Sequence, residues 1–181
     1  MLIHIIIVSL IIIIFVIGII YITTYNRFQD YIIRINEVES KIDDNLRDKF
    51  DYILKLNNII KEKIKTSKKL VDDLNNLKDE NISSFDMDRK LVEALNKVIF
   101  VKDKYDELDG DEEVSKILYN IEDIDESIRA CKKYYNEQVK DYNILIRKLP
   151  YNIIGKLLKY NEKTYFDGKN MNDENINDFK M

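Results

Sequence analysis

The densest group of side chains that could do chemistry is a run of six carboxylates between Asp106 and Glu113. Carboxylate oxygens at this density could bind Ca²⁺. An EF-hand loop, however, requires Glu at its twelfth position, and placing Gly110 at the loop glycine puts Tyr105 first and Lys116 last. We therefore predict no metal site here, because the carboxylates more simply complement the positive N-terminal end of the next helix.

Other reactive groups are scarce, since the chain has one His and one Cys. His4 stands alone in an apolar leader, which excludes histidine-based zinc sites and catalytic triads. Cys131 lies among apolar helical positions with no catalytic base beside it, so we predict an inert thiol. The sequence thus predicts no enzyme activity and no cofactor.

Basic residues are concentrated in one run, which comprises Lys61, Lys63, Lys65, Lys68 and Lys69. Such a run could contact anionic lipid, although it is more often a solvated helix face. The formal net charge is -4, and no platform of interleaved basic and aromatic residues is present. Nucleic-acid binding is therefore not expected, because it requires a positively charged face.

Residues 1–22 contain no Asp, Glu, Lys or Arg. At 1.5 Å per residue a helix of this length crosses the hydrocarbon core of a bilayer. The segment has neither a basic start nor a small-residue cleavage site, so a transmembrane helix is favoured over a cleaved signal peptide. Tyr21 and Tyr25 then lie where aromatic side chains contact the membrane interface.

The charges next to this segment predict its orientation. Arg27, Arg34 and Lys41 follow it, whereas no basic side chain precedes it. By the positive-inside rule we expect a single-pass protein of a cell membrane, with its N-terminus outside and its bulk in the cytoplasm.

The remaining chain predicts long helices, since four Gly and one Pro leave little turn chemistry for a sheet. Apolar residues recur at helical spacing from Phe28 to Ile64. Ser83, with Asp86 three residues later, predicts the start of a second helix, and Asp109 is the expected cap of a third. That third helix, residues 111–149, carries apolar residues at alternating intervals of three and four, as in coiled coils, until Pro150 ends it.

Helix lengths constrain the arrangement of these elements. Residues 23–78 as one helix would extend about 84 Å, so we predict a break near residues 50–58. The expected fold is all-α: an N-terminal transmembrane helix and then an antiparallel up-and-down bundle, with four helices favoured and three left open. The predicted domains are a transmembrane anchor (1–22), a helical bundle (23–160) and a polar flexible tail (161–181).

Two Tyr-Asn pairs, Tyr135-Asn136 and Tyr142-Asn143, lie one heptad apart in the last long helix. The two Tyr side chains therefore share a face and are expected in the core. The adjacent Asn side chains could bond neighbouring helices, or they could shape a groove for a partner helix. Pro150 completes this group of candidate structural or partner-binding residues.

The segment after Pro150 combines apolar and basic residues. Its candidate membrane-contact residues are Ile153, Ile154, Leu157 and Leu158. The segment either plugs the end of the bundle or dips into the membrane interface. The plug is favoured, because about ten residues supply little insertion energy.

Both Tyr-Asn pairs, with Leu149-Pro150 and Asn152 after them, resemble the paired YN signature and the following F-P-x-N of the bacterial LemA family. Leu46–Leu56 is similar to the family's L-x-R-R-x-D-L-I-P-N-L segment. The chain departs from the pattern where Leu54 replaces the family's Pro, and where Thr66-Ser67 replace its His-Glu pair. Asp125 and Lys132 stand where the family usually has Glu and Arg.

This resemblance implies a helical bundle on a single-pass anchor in a bacterial cell membrane, with no established catalytic activity. It also implies a partner among envelope proteins, such as a membrane metallopeptidase. We predict a non-enzymatic scaffold that binds a protein partner. The alternative is a lipid-binding or membrane-remodelling protein that uses the basic run and the segment after Pro150.

Overall fold

The computed structural model describes residues 1–64 and 82–167. Its α-helices are α1 (Leu2–Lys63), α2 (Ser84–Lys102), α3 (Glu112–Arg147) and α4 (Tyr151–Leu157), with a short 3₁₀ helix at Asp106–Leu108. Neither described range contains a β-strand. The prediction of an all-α protein with a long apolar N-terminal helix is therefore confirmed.

The first helix runs without interruption from Leu2 to Lys63, so the predicted break near residues 50–58 is wrong. Leu54 permits an unbroken helix because, unlike Pro, it keeps its backbone N–H. The apolar face of α1 in this region is covered by the rest of the protein, since Phe50, Ile53 and Leu56 are buried. Apolar contacts therefore stabilise α1 throughout the region where the break was expected.

The chain divides into two compact units. The first unit comprises Met1–Glu37 and Tyr135–Met181, and the second comprises Val38–Tyr134. Each contains a segment of α1 and a segment of α3, and each has its own buried core.

Within the second unit, α1 and α3 are antiparallel. Asn45 Nδ2 donates to Ser127 Oγ at 3.0 Å, whereas Lys63, further along α1, pairs with Asp111 just before α3. Ser84 Oγ, at the start of α2, donates to Asp43 at 2.5 Å. The core of this unit contains Val38, Ile42, Leu46, Phe50, Ile53, Leu56 and Ile60 of α1, Leu91 and Val98 of α2, Leu108 of the 3₁₀ helix, and Val114, Ile117, Ile121 and Ile128 of α3.

Helix starts in this unit follow from local side-chain hydrogen bonds. Ser83 Oγ accepts from the backbone N–H of Asp86 at 3.1 Å, which confirms the predicted start of α2. The cap of α3 is Asp111 and not Asp109. Asp111 Oδ1 accepts hydrogen bonds from the backbone N–H groups of Glu113 and Val114, at 3.1 and 3.0 Å. The left-handed backbone of Gly110, with φ +78°, brings Asp111 to this position.

A buried ion pair joins α1 to α3 in the second unit. Lys49 Nζ lies 2.6 Å from Asp125 Oδ1, and the Lys49 side chain is only 1% exposed. A second pair joins Lys132 of α3 to Asp88 of α2. An ammonium group buried to this degree requires its carboxylate, because the desolvation penalty is otherwise uncompensated.

We predict that Asp125→Ala lowers the free energy of unfolding by about 3 kcal/mol, because the Lys49 ammonium then stays buried without a counter-charge. The double variant Lys49→Met/Asp125→Ala should recover most of that loss. Asp44→Ala is the matched control, because Asp44 is 67% exposed and meets Arg47 at 3.5 Å. Asp44→Ala should lower the free energy of unfolding by less than about 1 kcal/mol, as measured by thermal unfolding followed by circular dichroism. Equal losses for Asp44→Ala and Asp125→Ala would contradict this assignment.

Candidate functional site

The two Asn residues of the Tyr-Asn pairs bind a non-helical segment of their own chain, residues 161–167, which we call the return segment. Asn143 Nδ2 donates to the carbonyl oxygen of Lys163 at 2.7 Å, and its Oδ1 accepts from the N–H of Lys163 at 2.9 Å. Asn136 Oδ1 accepts from the N–H of Phe166 at 2.9 Å. Both Asn side chains therefore bind main-chain groups, which are present at nearly every residue whatever its side chain.

The spacing of the two Asn residues matches the spacing of the backbone groups they bind. One heptad of α-helix covers about 10.5 Å along the axis. Lys163 and Phe166 are three residues apart, and three residues of extended chain cover about 10 Å. Because an amide side chain carries both a donor and an acceptor, Asn143 satisfies both main-chain groups of one residue.

An ion pair fixes the start of the return segment. Arg147 Nε and Nη2 donate to the two carboxylate oxygens of Glu162 at 2.6 and 2.8 Å. This two-point geometry is the strong arrangement of guanidinium and carboxylate. The hydrogen bond from Arg147 lowers the pKa of Glu162, and the same bond raises the pKa of Arg147.

The Tyr residues of the two pairs occupy different depths of the first unit. Tyr142 is 2% exposed, and its ring meets Phe28 edge-on at 5.9 Å between centroids. Burial raises the pKa of Tyr142 to about 12. Tyr135 is half-buried at the edge of the same core and meets Phe166 edge-on at 6.3 Å.

From the sequence, the Asn side chains of the two Tyr-Asn pairs were expected to bond neighbouring helices or to shape a groove for a partner helix. They contact the return segment and not a neighbouring helix. Part of the predicted tail, residues 161–167, forms that segment, while residues 168–181 lie outside the described residues. One sequence feature could have indicated these contacts: the two Asn residues are one heptad apart, which is about the length of three residues of extended chain. That feature can be used only if the chain is known to turn back along α3.

The segment after Pro150 packs against the part of α1 that follows the apolar stretch. Arg27 Nη1 donates to the Tyr151 hydroxyl at 3.4 Å, and Gln29 Nε2 donates to the Tyr160 hydroxyl at 2.7 Å. Both Tyr rings also meet Phe28 edge-on, at 6.1 and 5.2 Å. Space at Gly155 is limited, because a Cβ there would lie 3.2 Å from the Ile146 side chain.

The predicted membrane-contact residues separate into two groups. Ile154 is 8% exposed and Leu158 is half-buried, whereas Ile153 and Leu157 are 63% and 71% exposed. Pro150 is exposed at the end of α3, after a cis peptide bond. The rings of Tyr21 and Tyr25 stack 6.5 Å apart on α1, and both side chains are exposed.

The other sequence candidates lie in ordinary structural contacts. Asp109 pairs with Lys102 at 3.0 Å, and the hydrogen bond from Lys63 lowers the pKa of Asp111. Cys131 is half-buried, with its Sγ 4.0 Å from Asn45 Nδ2. In residues 1–64 and 82–167, no group of three or more His, Cys, Asp or Glu side chains could hold a metal ion. Of the basic run, Lys65, Lys68 and Lys69 lie outside the described residues.

A cavity of about 510 Å³ lies in the second unit, between α1 and the start of α2. Asp43, Arg47, Phe50, Asp51 and Met87 are among its lining residues. It adjoins Ile82, where the described chain resumes, and its mixed lining identifies no ligand class.

The sequence model of the LemA family matches residues 38–178 of the chain. The matched range includes both Tyr-Asn pairs and the return segment. No curated protein and no solved structure matches the chain.

We predict that Asn143→Ala accelerates tryptic cleavage after Lys163 about tenfold, because two lost hydrogen bonds make local opening of the return segment easier. Mass spectrometry of the fragments measures the rate. Asn45→Ala is the matched control: it removes an Asn hydrogen bond in the second unit, to Ser127, and should leave cleavage after Lys163 unchanged. A similar rate in the wild type and Asn143→Ala would show that the return segment does not depend on Asn143.

Proposed function

Because the chain belongs to the LemA family, we propose that it is a membrane-anchored helical scaffold that presents its bundle to a protein partner and catalyses no reaction. One observation carries the proposal. A single helix, α1, contains both the apolar N-terminal stretch and residues of both buried cores.

Support for an anchor comes from the surface of α1. Among the described helices, α1 alone is long and apolar enough to cross a membrane. Its most apolar stretch of 18 residues has a mean hydropathy of 3.4 and is not buried. Phe15, for example, is 69% exposed. A continuous apolar surface of this size is unfavourable in water, and a bilayer core would cover it.

Orientation and partner class are the finer parts of this proposal. Arg27, Arg34 and Lys41 favour a cytoplasmic bundle with the N-terminus outside, as a single-pass protein of a bacterial cell membrane. The family resemblance favours another envelope protein as partner, such as a membrane metallopeptidase. Exposed aromatic side chains suit such a contact: Tyr119 is 70% exposed and Phe100 is 63% exposed.

A second candidate function is lipid binding or membrane remodelling. Exposed Leu149, Ile153 and Leu157 favour it, because they are apolar side chains in a segment that also carries lysines. The basic run gives it little support in its described part, since the Lys63 ammonium pairs with Asp111. The lipid-binding candidate therefore rests on α4.

We predict that a photo-crosslinking amino acid at position 119, in the full chain in native membranes, yields a discrete crosslinked protein identifiable by mass spectrometry. Recovery of that protein by affinity purification should fall about tenfold with Tyr119→Ala and persist with Tyr119→Phe, because the ring supplies the contact area. A photo-crosslinking amino acid at position 100, together with Phe100→Ala, tests the second exposed aromatic side chain in the same way.

Two outcomes would contradict the proposal separately. A chain that partitions into the soluble fraction after lysis would contradict membrane anchoring. A chain that stays with the membranes yet yields no crosslinked protein from position 119 or 100 would contradict the scaffold role.

A further inference from the structure

The short helix α4 has one buried side and one exposed side. Ile154 and Gly155 are buried against the core of the first unit. Leu149, Ile153 and Leu157, spaced four residues apart, are 72%, 63% and 71% exposed. This spacing places Ile153 and Leu157 on the same face of α4, and Leu149 lies two residues before the helix begins at Tyr151.

Contacts with α1 fix where this face lies along the first helix. The Tyr151 hydroxyl is 3.4 Å from Arg27 Nη1, and the Tyr151 ring lies edge-on to Phe28. Arg27 follows Ile22, the end of the uncharged stretch, by five residues, or about 7.5 Å of helix. Helix α4 therefore lies beside the part of α1 that would emerge from a bilayer, just after the uncharged stretch.

The charged side chains of the segment that contains α4 have one sign. Between Lys148 and Tyr160 the chain contains Lys156 and Lys159 but no Asp or Glu. Lys148, Lys156 and Lys159 are all exposed. An apolar face flanked by exposed lysines is the pattern of helices that lie in the interface of anionic membranes.

We propose that α4 lies in the interface of the bilayer that α1 spans, with Leu149, Ile153 and Leu157 among the upper acyl chains and the flanking lysines at lipid phosphates. The inference rests on the membrane anchoring proposed above. Helix α4 is too short to bind a membrane strongly by itself. Since α1 already holds it at the surface, its insertion is an intramolecular step at high effective concentration, so a small apolar face suffices.

Interfacial contact by α4 gives the first unit a second attachment point beside α1. A single spanning helix can rotate about its own axis, whereas a helix with a second contact at one side cannot do so without pulling Ile153 and Leu157 out of the lipid. The contact thereby fixes which side of the first unit faces away from the membrane.

The chain contains no Trp, so a single introduced Trp reports its own surroundings. Four full-chain variants are reconstituted in phosphatidylcholine vesicles with phosphatidylglycerol and brominated acyl chains: Ile153→Trp, Leu157→Trp, Phe15→Trp as the positive control and Glu137→Trp as the negative control. Glu137 is exposed on α3, ten residues or about 15 Å before Arg147, on the side away from α4 along the helix axis. Thermal unfolding by circular dichroism verifies that each variant is folded.

Quenching by bromine should reduce the emission of Trp at positions 15, 153 and 157 about twofold or more, and leave position 137 unquenched. Quenching at 153 and 157 should weaken without phosphatidylglycerol or in high salt, because the lysines contribute through screened charges. If position 15 is quenched while 153 and 157 behave like 137, the α4 proposal is overturned and the anchor stands. If position 15 is also unquenched, the membrane anchor and the interfacial position of α4 are both overturned.

Discussion

The continuity of α1 is the constraint on which the rest of the structure depends. Backbone hydrogen bonds run from Leu2 to Lys63, and the helix contains only Gly18 as a potential weak point and no Pro. The apolar stretch therefore passes directly into the residues that form the cores, beginning with Phe28. The first 22 residues are therefore held rigidly to the rest of the first unit, because one continuous helix connects them to Phe28.

The rest of the first unit is assembled around Phe28. Tyr142, Tyr151 and Tyr160 all meet its ring edge-on, and these three residues belong to α3, α4 and the turn that follows α4. The return segment then lies along α3, where Asn143 and Arg147 bind it. The Tyr-Asn pairs thus have two connected tasks: aromatic rings form or border the core, and amide groups fix the chain that leaves it. This division explains why polar Asn side chains lie next to core positions: their amide groups are hydrogen-bonded to the return segment.

The elements that the sequence predicted correctly have local causes, whereas its two larger failures have causes distant in the chain. The start of α2 at Ser83 and the end of α3 near Pro150 follow from hydrogen bonds and backbone limits within a few residues. The break near residues 50–58 was wrong because a length argument cannot tell how well α2 and α3 cover α1. The partners of Asn143 were missed because Lys163 is twenty residues away and the return segment has no periodicity. Ile153 and Ile154, adjacent and chemically identical, differ in burial solely because successive helical residues point about 100° apart.

The central claim, that the apolar stretch and the core segment of α1 are one helix in a membrane, is tested most directly by a distance across their junction. Spin labels at Phe15→Cys and Ile33→Cys, in a Cys131→Ala background, occupy exposed positions eighteen residues apart on the same helix face. Double electron-electron resonance of the full chain in lipid nanodiscs should give a narrow distribution near about 27 Å, the rise of five turns. A broad distribution, or a mean shorter by several ångströms, would show a hinge between the two segments and contradict the account.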